Sequence, residues 1–165
     1  MSPCTRDSGT CRYCQDGCTL KPGWFLPGEA EKAAEFVSMT LLEFFRAYLA
    51  VDWWEGGDEP DIFLLSPGIE SGAPGTEFPG DPRGTCVFYE NERCRIHPVK
   101  PHECRERWCG DQGPSGIHED TAMAWKAHQG QVAELLGGFG GDSSEVLGRG
   151  PVAGGHRPQQ KRQGR

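Results

Sequence analysis

The placing of eight cysteines constrains this chain more than any other feature. Cys4, Cys11, Cys14 and Cys18 lie at its start, and Cys86, Cys94, Cys104 and Cys109 lie far downstream. No basic stretch leads into an apolar run at the N-terminus, and 18 successive apolar residues occur nowhere. The expectation is therefore a soluble cytoplasmic protein with neither an export signal nor a membrane span. In a reducing compartment thiols stay reduced, so clustered cysteines point to metal ligation before disulfides. In an oxidising one the same eight could pair, in an order that spacing does not give.

Cys11 and Cys14 are separated by two residues, a spacing that lets a tight turn present both sulfurs to one ion while backbone amides stabilise the thiolates. Cys18 extends this first cluster, and the four distant cysteines can complete a chelating cage.

The rest of the composition makes such help with folding useful. The 165 residues include 24 Gly and 13 Pro, where the pair ordinarily makes about 12% of a chain. Loops are therefore extensive, and the apolar content suffices for one small core. The formal net charge of -7 is unevenly spread. Five of the 17 basic residues lie from Arg149 onward, where there is no acidic one, so residues 1–148 hold all 24 acidic residues against 12 basic. A body of that charge repels phosphate backbones, which argues against nucleic acid as a partner. Residues 1–136 read as a cysteine-cluster metal-binding domain and 137–165 as a disordered basic tail.

Within the domain, residues 1–27 read as irregular. A short helix is expected over 29–37, with Glu29 and Glu31 in its first turn and Ala30, Ala33, Ala34 and Val37 on one side. Thr40 and Glu43 have the form of a capping box, which predicts a fresh helix to about residue 51 burying Leu41, Phe44, Phe45, Tyr48 and Leu49. Trp53 and Trp54 are expected to pack against this helix pair. The run 62–65 reads as a buried strand, and 66–84 as a long Gly/Pro-rich loop, functional or clamped at its ends. Residues 85–89 and 94–97 read as a hairpin about a polar turn. A third helix is expected over 118–136, with Ile117, Thr121, Trp125, His128, Val132 and Leu135 on one stripe. The fold class is thus a small, mainly α, metal-stabilised and irregular cysteine-rich domain, with about three helices, a short β-hairpin and long Gly/Pro-rich loops.

The early C-x2-C-x3-C together with CVFYENERCRIHPVKPHECR resembles the YkgJ-type cysteine-cluster family, a zinc- or iron-chelating domain of the CxxCxxCC type. The likeness spans most of residues 4–109 and rests downstream on Cys86, Cys94, Ile96, Lys100, Pro101, Cys104 and Arg105. The segment from Pro22 through Leu49 is similar to the family's paired helices. The family often ends its first cluster in adjacent cysteines, where this chain has Cys18 alone, and commonly has Tyr where His97 stands. The resemblance implies metal ligands among Cys4, Cys11, Cys14, Cys18, Cys86, Cys94, Cys104 and Cys109, with His97 as a possible addition.

These residues imply a zinc- or iron-binding protein, a structural or carrier module that can present a metal-stabilised surface to a protein partner. The alternative is an iron-sulfur cluster protein with a redox or methyl-transfer-related role, since the resemblance extends to cysteine clusters of flagellin lysine methylases. A third is a thiol redox sensor. Against an enzyme stand the lack of a glycine-rich nucleotide loop, of G-x-S-x-G, of H-E-x-x-H and of paired carboxylates at a usable spacing. Lys100 and Arg105 flank Cys104, where their charge could favour a thiolate or could pair with Glu103 and Glu106. His102, His118 and His128 have no defensible ligand spacing, and His128 is expected to be packed or hydrogen-bonded.

Overall fold

The computed structural model describes residues 12–70, 83–106 and 115–137. Its order is α1 (Arg12–Leu20), α2 (Glu29–Phe36), α3 (Leu41–Tyr48), β1 (Leu49–Trp54), β2 (Ile62–Pro67), β3 (Tyr89–Glu90), β4 (Arg93–Cys94), α4 (His102–Glu106), α5 (Ile117–Trp125) and α6 (Gln129–Gly137). The described part is small and mixed α/β, with more helices and more strand than the mainly α expectation of about three helices. None of its helices is long and apolar enough to cross a membrane.

The centre is the antiparallel ladder of β1 and β2, in register from Leu49 opposite Pro67 to Trp54 opposite Ile62. Every residue of β2 is buried, because the strand is covered on both faces and along its second edge. Phe25 donates its backbone N–H to the Leu65 carbonyl at 3.1 Å. The Gln129 amide does the same for Phe63 in both directions, donating to its carbonyl at 2.7 Å and accepting from its N–H at 2.9 Å. A side chain thus stands in for a strand and closes an edge that would otherwise be open to pairing. Trp24, Phe25, Phe44, Phe45, Leu64, Leu65, Phe88 and Trp125 fill the core around this ladder, each worth about 1.5–3 kcal/mol of apolar transfer.

The first two expected helices form largely as read. Ala30, Ala33 and Ala34 are buried on α2, and α3 opens on a complete capping box in which Glu43 N–H reaches Thr40 Oγ1 at 3.2 Å and Thr40 N–H reaches Glu43 Oε2 at 2.8 Å. Phe44, Phe45 and Leu49 are buried. The second helix stops at Tyr48, however, since Leu49 and the residues after it enter β1, where Trp53 and Trp54 pair with β2. The pull of a strand partner overrides a helical period that the sequence carries only locally.

Three other expectations change. Residues 12–20 are helical within a stretch read as irregular; the last turn is held by tertiary bonds, from Cys86 N–H to the Cys18 carbonyl at 2.7 Å and from Gly84 N–H to the Leu20 carbonyl at 2.8 Å. These satisfy carbonyls that a helix end leaves open. The third expected helix is broken into α5, a 3-10 turn over Lys126–His128 and α6, and the Gln129 amide also takes the Trp125 carbonyl at 2.9 Å. The break turns His128 outward, so it is exposed, resting only an edge on Trp125. The hairpin is shorter than expected, with Tyr89 opposite Cys94 and Glu90 opposite Arg93. Asn91 and Glu92 carry φ of 50° and 62°, the left-handed pair that a two-residue primed turn requires.

The Gly/Pro-rich stretch begins later than expected, because β2 runs through Pro67. Its ends are tied together by Glu70 N–H to the Thr85 carbonyl at 2.9 Å and by a bridge between Ile69 and Cys86. Its middle lies outside the described residues, as does the tail expected over 137–165 apart from Gly137, which ends α6.

Candidate metal centre

Of the expected ligands, Cys18, Cys86, Cys94 and Cys104 are described together with their surroundings, and they come from four separate parts of the chain. Cys18 sits in the last turn of α1, and its carbonyl is bonded to the amide of Cys86, just ahead of the hairpin. Cys94 ends β4 and Cys104 lies in α4. All four are thiols, Cys86 buried and the others half-buried.

Cys86 is the middle of the group. Burial pushes its thiol far above the ordinary cysteine range; a backbone hydrogen bond from Phe88 opposes the rise, and the sulfurs of Cys104, Cys18 and Cys94 add to it. Backbone bonds tie two of these cysteines to Cys86, Cys18 through its carbonyl and Cys94 through Tyr89, which stands opposite it in the hairpin and donates its N–H to the Cys86 carbonyl at 2.9 Å. Burial also raises the Cys94 thiol, against a backbone hydrogen bond from Ile96 and the positive charge of Lys100. In both cases the amide aimed at sulfur belongs to the residue two positions on. This is the backbone arrangement that a tight turn uses to stabilise anionic sulfur.

Cys104 is held from two sides. On one, Gly23 packs so closely that a Cβ there would stand 2.9 Å from the Cys104 Sγ and 3.0 Å from its backbone nitrogen. The neighbouring Glu103 is 2% exposed and accepts from Trp24 N–H at 2.9 Å and from His118 Nδ1 at 2.9 Å. On the other side Glu29 pairs with Arg105 and accepts His102 N–H at 2.9 Å, while Arg105 Nη1 reaches the Lys100 carbonyl at 2.7 Å. Arg105 and Glu103 therefore do not pair with each other. Lys100 places positive charge near the Cys94 thiol.

The other expected ligands are placed differently. Cys14 lies within helix α1, not in the tight turn that its spacing suggests; Cys4, Cys11 and Cys109 fall outside the described residues. His97 opens a 3-10 turn, His97–Val99. Among the described residues, no three His, Cys, Asp or Glu side chains stand so that they could hold a metal ion as they are. The donor set is right in kind for a thiophilic ion, and its sulfurs are neighbours without forming a closed cage. Sequence reasoning missed Gly23, Glu103 and His118, because their roles come from contacts across distant chain. No local signal marks them.

Comparison with protein-family models, with curated proteins and with solved structures finds no match.

Proposed function

We propose that this chain is a metal-binding module of the reducing cytoplasm, in which clustered cysteines chelate zinc or iron, as its resemblance to the YkgJ-type cysteine-cluster family implies. What supports this reading is that the Cys86 N–H bonds the Cys18 carbonyl at 2.7 Å while Cys94 stands opposite Tyr89 in the adjoining hairpin, with Cys104 among the sulfurs that act on the Cys86 thiol. Four thiols in a half-buried neighbourhood, two of them met by backbone amides, suit a soft cation that accepts tetrahedral sulfur. While protonated, these thiols pack as small apolar groups, Cys86 within the core and Cys18 and Cys94 against it. Binding requires the thiols to lose their protons and their side chains to turn inward, with Cys11 and Cys14 as further donors. The ion would supply cross-linking of α1, the hairpin and α4. Its role here is structural, or that of a cargo, in a module that meets a protein partner.

Elemental analysis and an absorption spectrum of protein purified without oxygen test this directly. Stoichiometric zinc in a colourless sample, or bound iron without acid-labile sulfide, is the expected result. A brown sample with acid-labile sulfide would select an iron-sulfur cluster in its place, and protein free of both metals would reject the reading. Replacing Cys14 or Cys104 with Ser is expected to lower bound metal and thermal stability together. Unchanged metal content in both variants would remove these residues from the ligand set.

A further inference from the structure

Glu103 is an expensive residue at its position. A carboxylate with 2% exposure gives up its hydration, and even well-paired buried charges are often matched or bettered by apolar side chains of similar volume. Both of its oxygens are committed, Oε2 to the Trp24 amide and Oε1 to His118. Its own N–H returns to the Trp24 carbonyl at 3.4 Å, so Trp24 and Glu103 clasp each other twice. The residue before Trp24 is Gly23 and the residue after Glu103 is Cys104. The clasp therefore lays the bare backbone of Gly23 flat against the Cys104 sulfur, at a separation that no side chain could share.

We propose that Glu103 and Gly23 together position the Cys104 sulfur, the clasp fixing where α4 docks and the glycine walling off one side of the thiol. The ion pair of Glu29 with Arg105 holds the far side of the same helix. His118 is half exposed at its side chain, donates Nδ1–H to Glu103, and extends the clasp to the surface. The consequence for metal affinity rests on the metal-binding reading above; the control of the thiol's direction does not.

The test takes the metal-free full-length protein and measures alkylation of Cys104 by iodoacetamide, resolved by mass spectrometry, with Cys94 as the internal reference. Gly23→Ala pushes on the sulfur and Glu103→Leu removes the side-chain half of the clasp, while Glu103→Gln keeps an acceptor for the Trp24 amide. The expected result is a severalfold change of the Cys104 rate in the first two variants, an unchanged Cys94 rate, and a rate close to that of the unaltered protein in Glu103→Gln. Cobalt(II) titration of the same proteins is expected to show shifted absorption bands and affinity lowered about tenfold or more in Gly23→Ala and Glu103→Leu, as for other residues that orient ligands. Equal Cys104 rates in the unaltered protein, Gly23→Ala and Glu103→Leu overturn the proposal. If Glu103→Leu does not fold, the Gly23→Ala rate decides it alone. Altered rates in a protein that takes up no cobalt or zinc uphold the positioning and overturn the metal reading.

Discussion

Two carboxylates are buried beside Trp24, and each makes a definite demand on its partners. Asp52, in the middle of β1, takes the Trp24 indole N–H at 2.7 Å and its own neighbour's amide, from Trp53, at 2.8 Å, with Lys21 at 3.3 Å. Removing it takes the acceptor from the buried Trp24 indole N–H, which typically costs about 1–3 kcal/mol for the unsatisfied group. Asp52→Ala should therefore lower the unfolding free energy by an amount in that range, read from the shift of the denaturant midpoint, with altered tryptophan emission in the folded state. A smaller effect in Asp52→Asn, which keeps an acceptor for the indole, would separate the hydrogen bond from the charge. Trp125 makes a similar bond to the Phe25 carbonyl at 2.6 Å. That bond pins the segment carrying Gly23 and Trp24 to α5, the helix that also carries His118.

At the level of single elements, the ladder and the α3 cap give two measurable expectations. Gln129→Leu would keep the bulk over β2 but strand the N–H and C=O of Phe63, and a loss of about 1–3 kcal/mol per buried group is expected in thermal or chemical unfolding. Thr40→Ala removes the cap of α3 at a cost of about 1 kcal/mol. The Glu43 carboxyl is held below its usual range by the Thr40 backbone and side-chain bonds. A carboxylate so lowered contributes stability above its unfolded range and loses it as the pH falls through its folded value. The difference between the protein and Glu43→Gln should accordingly be present at neutral pH and vanish in acid, as followed by unfolding across that range.

The same two elements explain what could and could not be read in the amino-acid order. The box of Thr40 and Glu43 is a four-residue device, and the alanines of α2 and the aromatics of α3 repeat at helical spacing, so local pattern sufficed. The end of α3 at Tyr48 depended on β2, whose pairing with β1 no local pattern states. Gln129 likewise read as one more polar residue in a helix. Its use as a substitute strand depends on Phe63, far off in the chain. The cysteines lay between these cases: their number and spacing pointed to a shared chemistry, whereas Glu103, Gly23 and His118 acquire their places only when α4 docks.

For the molecule as a whole, the metal binding we propose would add to a modest net stability. A chain with 24 Gly loses much conformational entropy on folding, and a domain's net stability is only about 5–15 kcal/mol. Zinc held by four ligands is worth roughly 10–16 kcal/mol in small domains at neutral pH. On the proposed function, zinc at a hundredfold excess over its dissociation constant should add about 2.7 kcal/mol, and chelator should lower the melting temperature correspondingly. A melting temperature indifferent to both would leave the apolar core as the sole support. One tie described above bears on how the protein can be made. Glu70 and Thr85 are joined through their backbones, and Ile69 bridges Cys86, so the covalent link between them adds little to a junction already made by hydrogen bonds. Two separately expressed halves, divided between residues 70 and 83, should find each other and rebuild a single folded unit.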